Sequence, residues 1–121
     1  MKICVTADEP DLQALISDDF GHADFFVIYD TDDGTWEAYP NDATVGGTGT
    51  GIIAAEAIIE LAPDVVLTGA IGPHGIRKLR SAEIRVIQDE EGTVWSRIQA
   101  YMKKNPECKT ADAPARTAPP E

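Results

Sequence analysis

The stretch Gly46-Gly47-Thr48-Gly49-Thr50-Gly51, which runs directly into the apolar Ile52 to Leu61 and on through Pro63 to Val65-Val66-Leu67-Thr68, decides the fold. It reads as loop, helix, breaker and buried strand. Residues Ile52 to Ala62 carry only two charges, Glu56 and Glu60, on one stripe, which predicts a helix lying against a sheet. Pro63 ends that helix, and the short, nearly all-apolar run after it has the character of a strand covered on both faces. The loop itself has a chemical reading. The first N–H groups of a helix lack intrahelical partners and lie at the positive end of its dipole, and glycines let those groups approach a bulky ligand closely. Between Lys2 and Arg77 the chain has no lysine or arginine. An anion in this loop is therefore held by amides, hydroxyls and a histidine, with cations entering only from the second half. That suits a soft, bulky anion better than a triphosphate.

Upstream, Ile3 to Thr6 is a short apolar run bounded by Asp8 and Pro10, again a buried strand. Residues Asp8 to Ala23 form a long connection, with one turn of helix expected around Leu12 to Ile16. Phe25 to Asp30 and Thr35 to Tyr39 are strands joined at Thr31-Asp32-Asp33-Gly34, where Asp-Gly supplies hairpin turn chemistry, so the two run antiparallel. Downstream, Gly69-Ala70-Ile71-Gly72 turns into a second helix with Pro73 in its first turn. A short strand, Arg85 to Ile87, follows. Thr93 then caps a third helix, in which Val94, Trp95, Ile98, Tyr101 and Met102 share one face. The order is β-β-β-α-β-α-β-α in one domain spanning residues 1 to 104, and the Pro- and Ala-rich residues 105 to 121 read as a disordered tail.

Composition narrows the function. The 121 residues carry a formal charge of −11, which argues against nucleic acid or an anionic membrane as partner, since both demand a basic face. No run is apolar enough for a signal sequence or a membrane span, so the expected location is the cytoplasm. Cys4 and Cys108 lie far apart with no C-x-x-C spacing and give no zinc or Cys-ligated iron–sulfur site. Cys4 is expected to be a buried small hydrophobe and Cys108 an exposed thiol in the tail. Gly49-Thr50-Gly51-Ile52-Ile53-Ala54 matches the G-x-G-x-x-A dinucleotide pattern, but no buried strand immediately precedes it and no acidic residue ends the strand at Thr68. No Gly-Lys-Ser/Thr follows the loop, so it is not a P-loop.

If the second strand returns antiparallel to the first, one end of the sheet collects Thr6 to Asp8, His22, the Gly46 to Gly51 loop and Gly72-Pro73-His74. Ligands of open α/β sheets sit at such an end. His74 and Arg77, three residues apart on a helix, share a face there.

The start Met1-Lys2-Ile3, the segment Asp19-Phe20-Gly21-His22-Ala23-Asp24-Phe25-Phe26, the glycine loop before an Ala/Ile helix, and Val65-Val66-Leu67-Thr68-Gly69-Ala70-Ile71-Gly72-Pro73 together resemble the dinitrogenase iron-molybdenum cofactor biosynthesis family over residues 1 to 103. The resemblance implies an α/β, ribonuclease H-like fold with a five-stranded mixed sheet of order 3-2-1-4-5 flanked by helices. It also implies non-covalent binding of a metal–sulfide cluster containing molybdenum with copper or iron, and a setting among cofactor-assembly proteins or P-loop ATPases. Many members carry His immediately before the Phe-Gly pair, where this chain has Asp19, and Arg is common where it has His22. A cluster whose metals are fully capped by sulfide needs no protein ligand. N–H donors, an apolar wall and one or two cations suffice.

The candidate binding residues are accordingly Phe20, Gly21, His22, Gly46, Gly47, Thr48, Gly49, Thr50, Gly51, Ile52, Ile71, Gly72, Pro73, His74 and Arg77, with His22 and His74 the two candidate metal ligands. No catalytic residue is assigned. Two alternatives stand beside the carrier: a small-metabolite enzyme using His22 or His74 as acid or base, and a protein-interaction module using the hairpin and the tail. The carboxylates Asp8, Asp18, Asp19 and Asp24 invite a two-metal nuclease reading, but Val65 to Thr68 presents no carboxylate and no basic groove is evident.

Overall fold

The computed structural model describes residues 1–41 and 50–104. Its elements are β1 (Lys2–Ala7), a single-turn 3-10 helix (Phe20–His22), β2 (Phe25–Asp30), β3 (Thr35–Pro40), α1 (Thr50–Leu61), β4 (Val65–Leu67), α2 (Pro73–Ser81), β5 (Arg85–Ile87) and α3 (Val94–Lys104). The five strands form one mixed sheet in the order β3-β2-β1-β4-β5. β2 is antiparallel to both β1 and β3, while β4 is parallel to both β1 and β5. The order is the one the family resemblance implies, and the directions are those that follow if β2 returns antiparallel to β1.

Alternation along the strands assigns the two faces. Ile3, Val5, Ala7, Val27, Tyr29, Val65 and Leu67 pack with Val94, Ile98 and Tyr101 of α3 and with Leu12, Ala14 and Ile16 of the β1–β2 connection. Cys4, Phe26, Ile28, Val66 and Val86 face the other way, onto Ala54, Ala55 and Ile58 of α1 and Leu79 of α2. Cys4 thus belongs to the α1/α2 layer, where burial pushes its thiol pKa far up and keeps it a neutral hydrophobe. Ala54 and Ala55 are small enough to bring α1 close to the sheet, and both are fully buried. Glu56 on its outer stripe pairs with Lys78 of α2 at 3.3 Å.

The local signals act as written. Gly34 takes φ 75 in the β2–β3 turn, and the Asp33 carboxylate accepts from the Thr35 amide at 3.0 Å and its hydroxyl at 2.7 Å. Those bonds hold the Asp33 pKa below its usual range. Pro73 begins α2. The Thr93 hydroxyl accepts the Ser96 amide at 3.1 Å and caps α3. Ala62, with φ 56, closes α1 one residue before Pro63.

One element differs from expectation. Leu12 to Ile16 is not helical: Ile16 bridges Ala7 and Leu15 bridges Thr93. The Ile16 amide donates to Gly92 O at 2.9 Å, and the Val94 and Trp95 amides donate to Ala14 O and Leu12 O, each at 2.9 Å. Backbone groups that a helix would have paired locally are instead spent on the start of α3. Among the described residues no helix is long and apolar enough to cross a membrane. The tail, with Cys108, lies outside the described residues.

Candidate functional site

The strand register builds one end of the sheet. Ala7 lies beside Phe25, Phe25 beside Pro40, and Val5 beside Leu67, so the last residues of β1, β3 and β4 and the first of β2 are neighbours. At its centre the chain leaves β1 toward β2 on one side and β4 toward β5 on the other, the topological switch point at which open α/β sheets bind ligands. The fully buried hydroxyls of Thr6 and Thr68 meet there at 2.8 Å. They were not among the candidate residues. Their signal in the sequence is a hydroxyl ending an otherwise apolar strand twice over.

Two loops that carry candidate residues are stitched together above this point. Asp19 bridges Ala70, with the Phe20 amide donating to Ala70 O and the Ala70 amide to Asp18 O, both at 2.8 Å. Gly69 makes the approach possible, because a Cβ there would lie 2.5 Å from Ser17 O and 2.6 Å from Asp18 O. Phe20 and Ile71 turn inward to the α1/α2 core, where Gly75 leaves room for both: a Cβ at that position would sit 3.3 Å from Ile71 and 3.5 Å from Phe20. They brace the start of α2 from beneath. Gly21 is buried as well, and His22, exposed at the end of the 3-10 turn, pairs through Nδ1 with the Asp19 carboxylate.

Three exposed candidates, Ile52, His74 and Arg77, meet beside α2, and His22 does not line that groove. Ile52 of α1 joins His74, Arg77, Lys78 and Ser81 around a groove of about 320 Å³. Arg77 also borders a neighbouring groove of about 520 Å³ with Pro73, Ile76, Arg80 and Ser81. Lys78, held by Glu56, is a further cation that sequence reasoning did not assign to the site. Arg77 has no carboxylate partner among the described residues, which leaves its guanidinium for a ligand. Ile52 is 40% exposed, a large apolar side chain at the groove's edge.

Two glycines here differ from Gly69 and Gly75. A Cβ on Gly51, in the first turn of α1, or on Gly72, the N-cap of α2, would meet nothing within 4 Å. Gly72 has φ −77 and ψ 168, which any residue adopts. Packing among the described residues requires glycine at neither position, and backbone conformation does not require it at Gly72. Bare backbone beside a helix start is what a bulky anion needs in order to reach N–H groups. Gly46, Gly47, Thr48 and Gly49 lie outside the described residues, and Thr50 is the first residue of α1.

Among the described residues no group of three or more His, Cys, Asp or Glu side chains is arranged to hold a metal ion. The carboxylates at the sheet end feel one another without forming such a cage. Partial burial raises the Asp8 pKa, and the charges of Asp18 and Asp24 push it further the same way.

The sequence model of the dinitrogenase iron-molybdenum cofactor family matches residues 1–104. The chain belongs to that family. Membership ties it to a metal-cluster cofactor role. The apo form of the orange protein from Desulfovibrio gigas is similar at 34% identity over 85% of this chain and 88% of that one, with a TM-score of 0.82. A putative NifB protein from Thermotoga is similar at 27% identity over 84% of this chain and 87% of that one, with a TM-score of 0.73. No curated protein gives a significant match.

Proposed function

We propose that this member of the family carries an anionic metal–sulfide cluster, molybdenum with copper or iron, as non-covalently bound cargo. It acts as scaffold or delivery protein rather than as catalyst. The observation that carries the reading is the pair of bare helix starts at Gly51 and Gly72, beside a groove edged by Ile52, His74 and Arg77, which has no carboxylate partner among the described residues. In this reading the amides of Gly47 to Gly51 and of Gly72 to His74 donate to sulfides, skipping Pro73, which has no N–H. Arg77 and His22 add charge-assisted contacts, and Ile52 excludes water from one side. Sulfide is a weak, diffuse acceptor, so many modest donors suit it better than one strong ligand. His22 and His74 are the side chains that would ligate a metal directly if the cluster exposes one. The family's setting suggests delivery in the cytoplasm to cofactor-assembly proteins or a P-loop ATPase, and the sheet order suits a ribonuclease H-like classification.

The test is Gly72→Asp. Its side chain enters open space, so folding is expected to be retained, while a carboxylate at the helix start repels sulfide. Anaerobic reconstitution with tetrathiomolybdate and copper(I) should give a cluster bound at least about tenfold more weakly than in the parent. Undiminished affinity in a folded variant would refute the reading.

A further inference from the structure

On the opposite face of the sheet from α1 and α2, the edge strand β5 is left partly uncovered, because α3 lies chiefly over β1. The result is a cleft of about 320 Å³, within the range of small-molecule sites. Its floor is apolar, made by Leu67, Ile87 and Ala100. Its wall is a single stripe of α3 at helical spacing, from Arg97 through Tyr101 to Lys104, facing Arg85 of β5.

We propose that this cleft is a second binding site, for a small organic anion with an apolar body and one carboxylate or phosphate group. Among the described residues, three cations, Arg85, Arg97 and Lys104, line it against one carboxylate, Glu90. The chain as a whole has the reverse balance, with 21 acidic and 10 basic residues. The guanidinium groups are also incompletely used. Arg85 donates one N–H to the Tyr101 hydroxyl at 2.9 Å, which orients it across the cleft. Arg97 stands 3.6 Å from Glu90, a loose ion pair. Its Nε is buried with no acceptor among the described residues. That Nε has no exposed surface, so an anionic head in the cleft is received by the outer guanidinium nitrogens of Arg85 and Arg97 and by Lys104. The aliphatic floor and the Tyr101 ring would cover the ligand's body. The cleft shares no lining residue with the groove of Ile52, His74 and Arg77.

The full chain, isotope-labelled, is titrated with phenyl phosphate, benzoate and inorganic phosphate, with benzyl alcohol as the neutral control, while Arg side-chain Nε–H and backbone amide resonances are followed. Saturable shifts at Arg97 Nε and over residues 85–87 and 97–101 are expected with phenyl phosphate or benzoate, and the stronger of the two identifies the preferred head group. Lys104→Gln, an exposed substitution, and Arg97→Gln should each weaken binding about tenfold. Equal response to benzyl alcohol, a response to inorganic phosphate as strong as to both organic anions, shifts centred on Arg77 instead, or no saturation up to ~10 mM would overturn the proposal.

Discussion

Gly69 and Gly72 stand close together in one loop and are glycine for different reasons. At Gly69 the neighbours are backbone carbonyls at 2.5 and 2.6 Å from a would-be Cβ, and backbone has no rotamer to escape into. Gly69→Ala is therefore expected to destabilise the fold by about 1–3 kcal/mol, read as a lower urea midpoint, with amide shifts along Ser17 to Phe20. At Gly72 the space is open, and an added side chain should alter cargo affinity and leave stability nearly unchanged. The sequence shows both as glycines in a turn. Only the approach of Ser17 and Asp18, residues from a distant loop, separates them. Asp8 makes a second residue-scale prediction. Burial and its acidic neighbours raise its folded-state pKa above the unfolded value, so its protonated form favours folding and its ionised form opposes it. That stability is present below the usual carboxylate pKa and lost as pH rises through the raised one. Asp8→Asn should accordingly raise the melting temperature at neutral pH and give little or no gain at about pH 3, checked by thermal melts at the two pH values.

Elements whose cause lies within themselves were legible in the sequence. The β2–β3 hairpin follows from Asp33-Gly34, α2 from Pro73, and α3 from Thr93 with its apolar stripe. The stretch Leu12 to Ile16 was not, because its backbone partners are Gly92 and the first residues of α3, far along the chain. Local apolar spacing there looks helical, and tertiary pairing overrides it. The two features are coupled, which gives a prediction at this scale. Thr93→Ala removes the hydroxyl that caps α3 and should cost about 1 kcal/mol in a denaturant titration with unchanged slope. Because Leu15 bridges Thr93 and Ile16 bonds Gly92, hydrogen exchange at Asp8 and Ile16 should quicken more than exchange in the β2–β3 hairpin. Uniform acceleration across the molecule would show that the cap and the connection are independent.

At the scale of the whole molecule, topology does what no motif does alone. The sheet order brings the 3-10 turn, the start of α1 and the start of α2 to one end, so residues distant in sequence share a surface. That much followed from counting strands and their directions. The Thr6–Thr68 pair did not, since two isolated threonines meet only once the register of β1 on β4 is known. Nor did the inward turn of Phe20 and Ile71, which buries both in the α1/α2 layer. The most direct measurement is an anaerobic titration of the isotope-labelled protein with tetrathiomolybdate plus copper(I) or iron(II), following visible absorption and amide shifts together. A charge-transfer band that survives desalting, with shifts concentrated at His22, Gly51, Ile52 and Gly72 to Arg77, is the predicted result; a chromophore lost on desalting, or a bound one that leaves those amides unmoved, would contradict it.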